Sequence, residues 1–102
     1  MPIITEVDLL KHRRTKIIAT LGPASDQPEI IHALINAGMN VVRLNMSHGD
    51  HTSHAATFTR VREAAKALKQ PIAILADLCG PKIRTGTFEH DQMELATGSK
   101  VI

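Results

Sequence analysis

Three short runs rich in β-branched residues constrain the fold of this chain more than any other feature. They are residues 16–21 (KIIATL), 40–46 (NVVRLNM) and 71–78 (PIAILADL), and all three are largely apolar. Runs of this kind are typical of strands that are covered on both faces of a sheet. We therefore predict three buried strands.

Two helical patterns connect these runs. Residues 26–37 place four aliphatic side chains on one stripe, Asp26 and Glu29 are spaced as a capping box, Pro28 suits a first turn, and Gly38 suits the C-terminal cap. In the second connection apolar residues recur at three- and four-residue steps, at Ala55, Phe58, Val61, Ala65 and Leu68. Alternating strands and helices with short connections predict an α/β fold with parallel strands.

The pattern changes after Gly80. Residues 83–88 and 93–95 are predicted to be short strands around a turn at residues 90–92, and residues 97–99 form a second turn signal. These features predict a second, all-β unit that begins near Thr87. Three βα units cannot close a barrel, so we interpret the chain as the front part of a longer enzyme design.

Composition excludes several classes of function. Apolar residues make up 43% of the chain, the net charge is +2, and neither Trp nor Tyr occurs, which makes a nucleic-acid partner a weak hypothesis. The start of the chain carries Glu6 and Asp8 and lacks a long apolar core, so we expect neither a signal peptide nor a membrane span. A lone cysteine, Cys79, fits a reducing compartment, and we expect the protein in the cytoplasm.

Polar residues follow each predicted strand, at the end where parallel α/β folds carry their working groups. Because side chains alternate along a strand, Arg43 and Asn45 share one side and Val42 and Leu44 share the helix side. Arg43 then offers a planar fork suited to phosphate or carboxylate. The alternative is a structural ion pair between Arg43 and Asp77.

Asn45, Ser47 and Asp77 supply an amide oxygen, a hydroxyl and a carboxylate, which are hard donors suited to an alkali or alkaline-earth cation. Spacing alone makes this a weak signal, because Asn and Ser after a strand are more often turn or cap residues. His48 is either a phosphate contact or a solvent-facing loop residue. His48, His51 and His54 do not converge as three zinc ligands, because the third swings off the shared helical face.

Three blocks of this sequence resemble the amino-terminal signature blocks of pyruvate kinase: TKIIATLGPAS (15–25), AGMNVVRLNMSHGDH (37–51) and ILADLCGPKIRTG (74–86). They stand in the family's order and spacing. The resemblance implies a (β/α)8 TIM barrel with a small β domain inserted after the third strand. On that basis residues 1–15 are an N-terminal segment, residues 16–86 the start of the barrel, and residues 87–102 the start of the insert.

The resemblance also implies an activity, namely phosphoryl transfer from phosphoenolpyruvate to ADP giving pyruvate and ATP, in a homotetramer. By the same resemblance Arg43 binds the phosphate of phosphoenolpyruvate, and Asn45, His48 and Arg84 face the nucleotide phosphates. Arg84 is placed to stabilise charge on the transferred group; from sequence alone it would be an exposed strand arginine. Asn45, Ser47, Asp77 and the Leu78 carbonyl would line a monovalent-cation site. The Mg2+ ligands would lie on later strands, so this portion alone should not catalyse.

One departure from the family pattern concerns potassium. Potassium-dependent members typically have a glutamate where this chain has Lys82, and an ammonium group could stand in for the ion. Two such charges about 4 Å apart at intermediate dielectric would repel by about 4 kcal/mol. We therefore expect potassium independence; the alternative is that Lys82 forms only a surface ion pair.

Two other interpretations of the function stay open. One is a different phosphoenolpyruvate- or pyruvate-handling barrel, such as an aldolase, although the Arg43, Asn45, Ser47 row with Arg84 argues against it. The other is a non-catalytic piece that acts through association, because strand edges left open favour it.

Overall fold

The computed structural model describes residue 3, residues 8–9 and residues 12–102. Predictions for the N-terminal segment 1–15 therefore lie partly outside the described residues. The described elements follow in the order β1 (Ile18–Thr20), α1 (Pro28–Asn36), β2 (Val41–Asn45), α2 (His51–Leu68), β3 (Ala73–Asp77) and a 3-10 helix (Glu89–Asp91). Among the described residues, no helix is both long enough and apolar enough to cross a membrane.

The three strands form one parallel sheet in the order β1-β2-β3, which confirms the predicted α/β arrangement. Arg43 lies opposite Thr20 on one side and Leu75 on the other, and Asn45 lies opposite Asp77. Each strand is shorter than its apolar run. A strand extends only as far as its backbone pairs with a neighbouring strand, whereas the apolar run continues beyond that point. Strands β2 and β3 end opposite each other at Asn45 and Asp77, whereas β1 ends earlier, opposite Arg43. All three strand exits lie on the same carboxyl edge of the sheet.

Helix α1 begins without the predicted capping box. Its N-cap is Gln27, with no side-chain capping bond, and Pro28 occupies the first turn as expected. The Asp26 carboxylate instead accepts a hydrogen bond from Arg60 of α2 at 3.2 Å, so the box between Asp26 and Glu29 was wrong. At the other end Gly38 has a φ of 113° and donates its N–H to Ile35, in agreement with its predicted role at the helix end.

Helix α2 has a marked start and an unusual end. Asp50 and Ser53 form a reciprocal capping box, in which the Asp50 carboxylate accepts from the Ser53 N–H at 2.7 Å. At the C-terminal cap Lys69 takes the left-handed conformation, φ 51°, that glycine usually supplies. The predicted apolar stripe is partly wrong, because Phe58 is 46% exposed beneath the Arg62 guanidinium whereas Thr57 is buried in its place.

The helices cover one face of the sheet. A single core lies between them and that face, made of Leu21, Ile31, Ile35, Met39, Val42, Leu44, Val61, Ala64, Ala65 and Ile72. The opposite face, which carries Ile18, Arg43 and Leu75, is partly or fully exposed, so the prediction of strands covered on both faces was wrong for this chain. Within the described residues no second layer of helices or strands lies against it.

Residues 78–102 are exposed throughout and contain no strand. The strands predicted at residues 83–88 and 93–95 are therefore wrong, because extended segments need a ladder partner and the described chain offers them none. The first turn signal becomes the 3-10 helix Glu89–Asp91. The second is confirmed, since the Ser99 N–H donates to the Ala96 carbonyl.

Candidate functional site

Arg43 ties together all three strands at the carboxyl edge of the sheet. On the face away from the helices, as strand alternation predicts, its Nη1 donates to Thr20 Oγ1 at 3.1 Å. Its Nε and Nη2 donate to Asp77 Oδ2 at 2.9 and 2.5 Å. These bonds aim the guanidinium along the edge, and donors that they do not use remain on the fork.

The ion pair between Arg43 and Asp77, which the sequence left as an alternative role, is therefore formed. Both side chains keep contact with solvent, at 32% and 46% exposure. A pair that open contributes at most about 1 kcal/mol to stability. Its main effect is orientation: an arginine anchored on one edge by a carboxylate still presents positive charge to an incoming anion.

Asn45 and Ser47 form a turn at the exit of β2. Asn45 Oδ1 accepts the Ser47 N–H at 3.1 Å, which is the local bond that the turn alternative predicts. The Met46 N–H donates to the Asp77 carbonyl, so the turn starts against β3. The Asn45 oxygen keeps a second lone pair, and no bond to the Ser47 hydroxyl occurs within the described part of the chain.

This donor set is a poor match for a cation that needs negative charge. Asp77 is its one carboxylate, and that carboxylate already faces the positive charge of Arg43. In residues 3, 8–9 and 12–102, no group of three or more His, Cys, Asp and Glu side chains could hold a metal ion.

The loop between β2 and α2 is closed by His54. Its Nε2 lies 2.6 Å from the His48 carbonyl oxygen. Gly49 between them has a φ of 72°, and a Cβ there would lie 3.2 Å from His54 Nε2. The His48 side chain itself is exposed, as is that of Ser47.

A cavity of about 280 Å³ opens beside this loop. The exit of β1 (residues 20–23 with Asp26), the exit of β2 (44–45 and 48–49) and the first turns of α2 (53, 54 and 57) line it. Pockets at the carboxyl ends of parallel strands are the usual place for ligands in α/β proteins. Asn45 and His48 thus stand at a concave surface, whereas Arg43 does not line it.

Hydrogen bonds hold the pKa of Asp50 below its ordinary value. The largest cause is the Ser53 backbone N–H, followed by the Ser53 side chain. Desolvation raises the pKa but ranks below both Ser53 bonds, and the neighbouring His54 and His51 lower the pKa further. The carboxylate at the start of α2 is therefore kept charged.

Three predicted site residues lie outside this cluster. Leu78 is 77% exposed, and Lys82 and Arg84 lie on the extended segment that follows β3. Within the described residues neither Lys82 nor Arg84 makes a hydrogen bond or an ion pair. The predicted surface ion pair of Lys82 is thus not formed in this part of the chain.

Two contributors were missed by sequence reasoning. Thr20 could have been found, because it ends a strand adjacent to Arg43 and its hydroxyl lies on the same face. His54 was considered only as a zinc ligand, and the pattern gave no sign that its ring would reach back to a main-chain carbonyl.

The comparisons with known proteins agree on one family. The family model described as pyruvate kinase, barrel domain, matches residues 12–102. The chain belongs to the pyruvate kinase family. It is 52% identical over 90 residues to the pyruvate kinase of Bacillus licheniformis and 49% identical over 90 residues to that of Geobacillus stearothermophilus.

The match covers most of this chain but little of its relatives. Both alignments take in 88% of the chain and 15% of the relative. A crystal structure of a pyruvate kinase from Cryptosporidium parvum superposes with a TM-score of 0.72 at 45% identity, over 86% of this chain and 18% of that one. The fold is thus that of the amino-terminal part of a pyruvate kinase barrel domain.

Proposed function

We propose that this chain is the amino-terminal portion of a cytoplasmic pyruvate kinase, which transfers the phosphoryl group of phosphoenolpyruvate to ADP and releases pyruvate and ATP. The observation that carries the proposal is the Arg43 fork, held between Thr20 and Asp77 at the carboxyl edge of a parallel sheet of this family. The complete enzyme would be a homotetramer. The portion described here should show no turnover alone.

Within that reaction the polar row after β2 would bind the two substrates. Arg43 would hold the phosphate of phosphoenolpyruvate, while Asn45 and His48 would face the nucleotide phosphates across the cavity that they line. Arg84 would approach the transferred group from the segment after β3. Phosphoryl transfer depends mainly on positioning and charge neutralisation, and rigidly held arginines supply both.

Magnesium would add to that neutralisation of charge when it is bound with the nucleotide. Its ligands would lie on later segments of the barrel. In this chain, Arg43 and Arg84 would supply the positive charge.

Replacing Arg43 tests the proposed function. In the full-length enzyme, Arg43→Lys keeps the charge but loses the planar fork, so kcat/KM for phosphoenolpyruvate should fall at least about 100-fold in a coupled assay. Arg14→Lys is the matched control, since Arg14 is exposed and makes no hydrogen bond or ion pair within the described residues. Unchanged kcat/KM in Arg43→Lys would contradict the assignment.

We further propose that the enzyme does not require potassium. The one carboxylate of the predicted monovalent-cation site, Asp77, is paired with Arg43, and Lys82 follows β3 on a segment without competing contacts. The Lys82 ammonium would fill the pocket made by Asn45, Ser47 and the Leu78 carbonyl. The full-length enzyme should keep most of its activity when potassium is withheld.

A charge reversal sharpens that test. Lys82→Glu should create stimulation by potassium, whereas Lys100→Glu, at another exposed position, should not. Near-total loss of wild-type activity without potassium would refute the proposal.

A further inference from the structure

The ring of His54 has a defined chemical role in the loop that precedes α2. Its Nε2 lies 2.6 Å from the His48 carbonyl oxygen, and a carbonyl has lone pairs but no proton to give. Nε2 must therefore carry the hydrogen and donate it. The bond links the first turn of the helix to the middle of the loop.

The main chain is tightly packed around this bond. Gly49 adopts a φ of 72°, which glycine reaches without strain, and a Cβ there would lie 3.0 Å from Ser53 Oγ and 3.2 Å from His54 Nε2. The loop thus lies directly against the helix start. Asp50 and Ser53 add a second link between the loop and the helix start through their capping box.

The β2–α2 loop and the end of β2 carry Asn45 and His48, the two residues of the candidate nucleotide site described above. At the start of the loop the Met46 N–H donates to the Asp77 carbonyl of β3, and Asn45 accepts from the N–H groups of Ser47 and His48. His54 supplies the anchor at the far end. Without it, the His48 carbonyl would lose this partner, and the loop would be held only by the sheet and by the capping box between Asp50 and Ser53.

We propose that His54 is a positioning residue, which orients the β2–α2 loop for nucleotide binding by donating its Nε2 hydrogen to the His48 carbonyl. The consequence for binding rests on the proposed pyruvate kinase activity. The consequence for loop order does not, because it follows from the hydrogen bond itself. The two consequences can therefore be measured separately.

The kinetic experiment uses the full-length enzyme and three replacements. His54→Leu removes the donor. His54→Asn keeps an amide donor, but its side chain is too short to reach the His48 carbonyl. His54→Gln places an amide nitrogen near the position of Nε2. We expect KM for ADP to rise about three- to tenfold in the Leu and Asn variants, with KM for phosphoenolpyruvate nearly unchanged. The Gln variant should return close to the wild type.

Hydrogen–deuterium exchange measured by mass spectrometry on the same proteins reads loop order without reference to activity. Peptides that cover residues 45–50 should exchange faster in the Leu and Asn variants, while peptides from α1 keep their rates. His51→Leu is the matched control, because His51 is exposed on the preceding turn and makes no hydrogen bond among the described residues.

Unchanged exchange in residues 45–50, equal acceleration in every peptide, or the same response in His51→Leu would overturn the positioning role. Failure of the Gln variant to match the wild type would also overturn it. If the wild-type enzyme proves inactive with ADP, the proposed function fails while the exchange results still decide the role of His54.

Discussion

At the scale of single residues, the groups at the carboxyl edge of the sheet are held in place by hydrogen bonds to neighbouring residues. Arg43 is positioned by Thr20 and Asp77, and the His48 carbonyl is positioned by His54. Arg43 keeps guanidinium donors that these bonds do not use, and the His48 side chain stays exposed while its carbonyl is bonded. Prior fixation of this kind reduces the entropy that a substrate would otherwise have to remove on binding.

Asp50 gives a prediction about pH. Because its pKa is lower in the folded chain than in the unfolded one, its contribution to stability is complete above about pH 4 and is lost as the pH falls through the folded-state value. Asp50→Asn, which lacks the charge, should therefore show a smaller fall in the urea midpoint between pH 7 and pH 3.

Urea unfolding followed by circular dichroism at the two pH values measures this difference. Glu94→Gln is the control, since Glu94 is exposed and makes no hydrogen bond or ion pair among the described residues. If wild type and Asp50→Asn lost equal stability on acidification, the cap would not be the source of the effect.

At this scale the sequence predicted which residues stand at the edge but not what each one touches. Strand alternation placed Arg43 correctly, because the period of two is a property of any strand. The choice between ligand and ion pair could not be made, because Asp77 is 34 positions away and its distance depends on the pairing of β2 with β3.

At the scale of elements, α2 makes hydrogen bonds to both loops that line the cavity: the one between β2 and α2 and the one between β1 and α1. Its first turns close the β2–α2 loop, and further along Arg60 donates to the carbonyl and carboxylate of Asp26 before α1. The same bond explains the failed capping prediction, since Arg60 competes for the carboxylate from 34 positions away. Local patterns therefore predicted the helices well and their ends less well.

The helices contribute to stability through a few fully buried side chains. Ile31 of α1 is completely buried, whereas its neighbour Ile30 is 39% exposed. Ile31→Ala should lower the free energy of unfolding by about 2–5 kcal/mol, because it leaves a cavity between α1 and the sheet. Ile30→Ala, the matched control, should cost clearly less.

Urea unfolding of the wild type and both variants at pH 7 gives the comparison. Equal losses in the two variants would mean that α1 does not pack on the sheet through Ile31.

At the scale of the whole molecule, the sheet has one covered face and one open face. Aliphatic side chains such as Ile18, at 58% exposure, and Leu75, at 42%, stand on the open face beside Arg43. The sequence predicted burial on both faces because apolar runs record the final environment of a strand. Such runs do not indicate which segment of the protein packs on the second face. This chain spans about 15% of the length of the curated relatives it matches.

The open face predicts association of the 102-residue chain. At micromolar concentration, light scattering should give an average mass above the 11.1 kDa of one chain. The double replacement Ile18→Thr and Leu75→Thr should shift the mass towards the monomer while keeping strand propensity.

Leu95→Thr is the control, because Leu95 is 63% exposed on the segment after β3 and belongs to none of the described strands. A monomeric wild-type chain, or an equal shift in the control, would contradict association through this face.

The sequential order of the strands has a consequence for synthesis. Arg43 meets Thr20 across 23 positions and Asp77 across 34, and no strand waits for a partner from the distant end of the described chain. Strands β2 and β3 each find the preceding strand already synthesised, and β3 then presents a free edge within the described residues. The sheet is therefore suited to growth strand by strand during translation, with every new strand extending a template that the ribosome has already released.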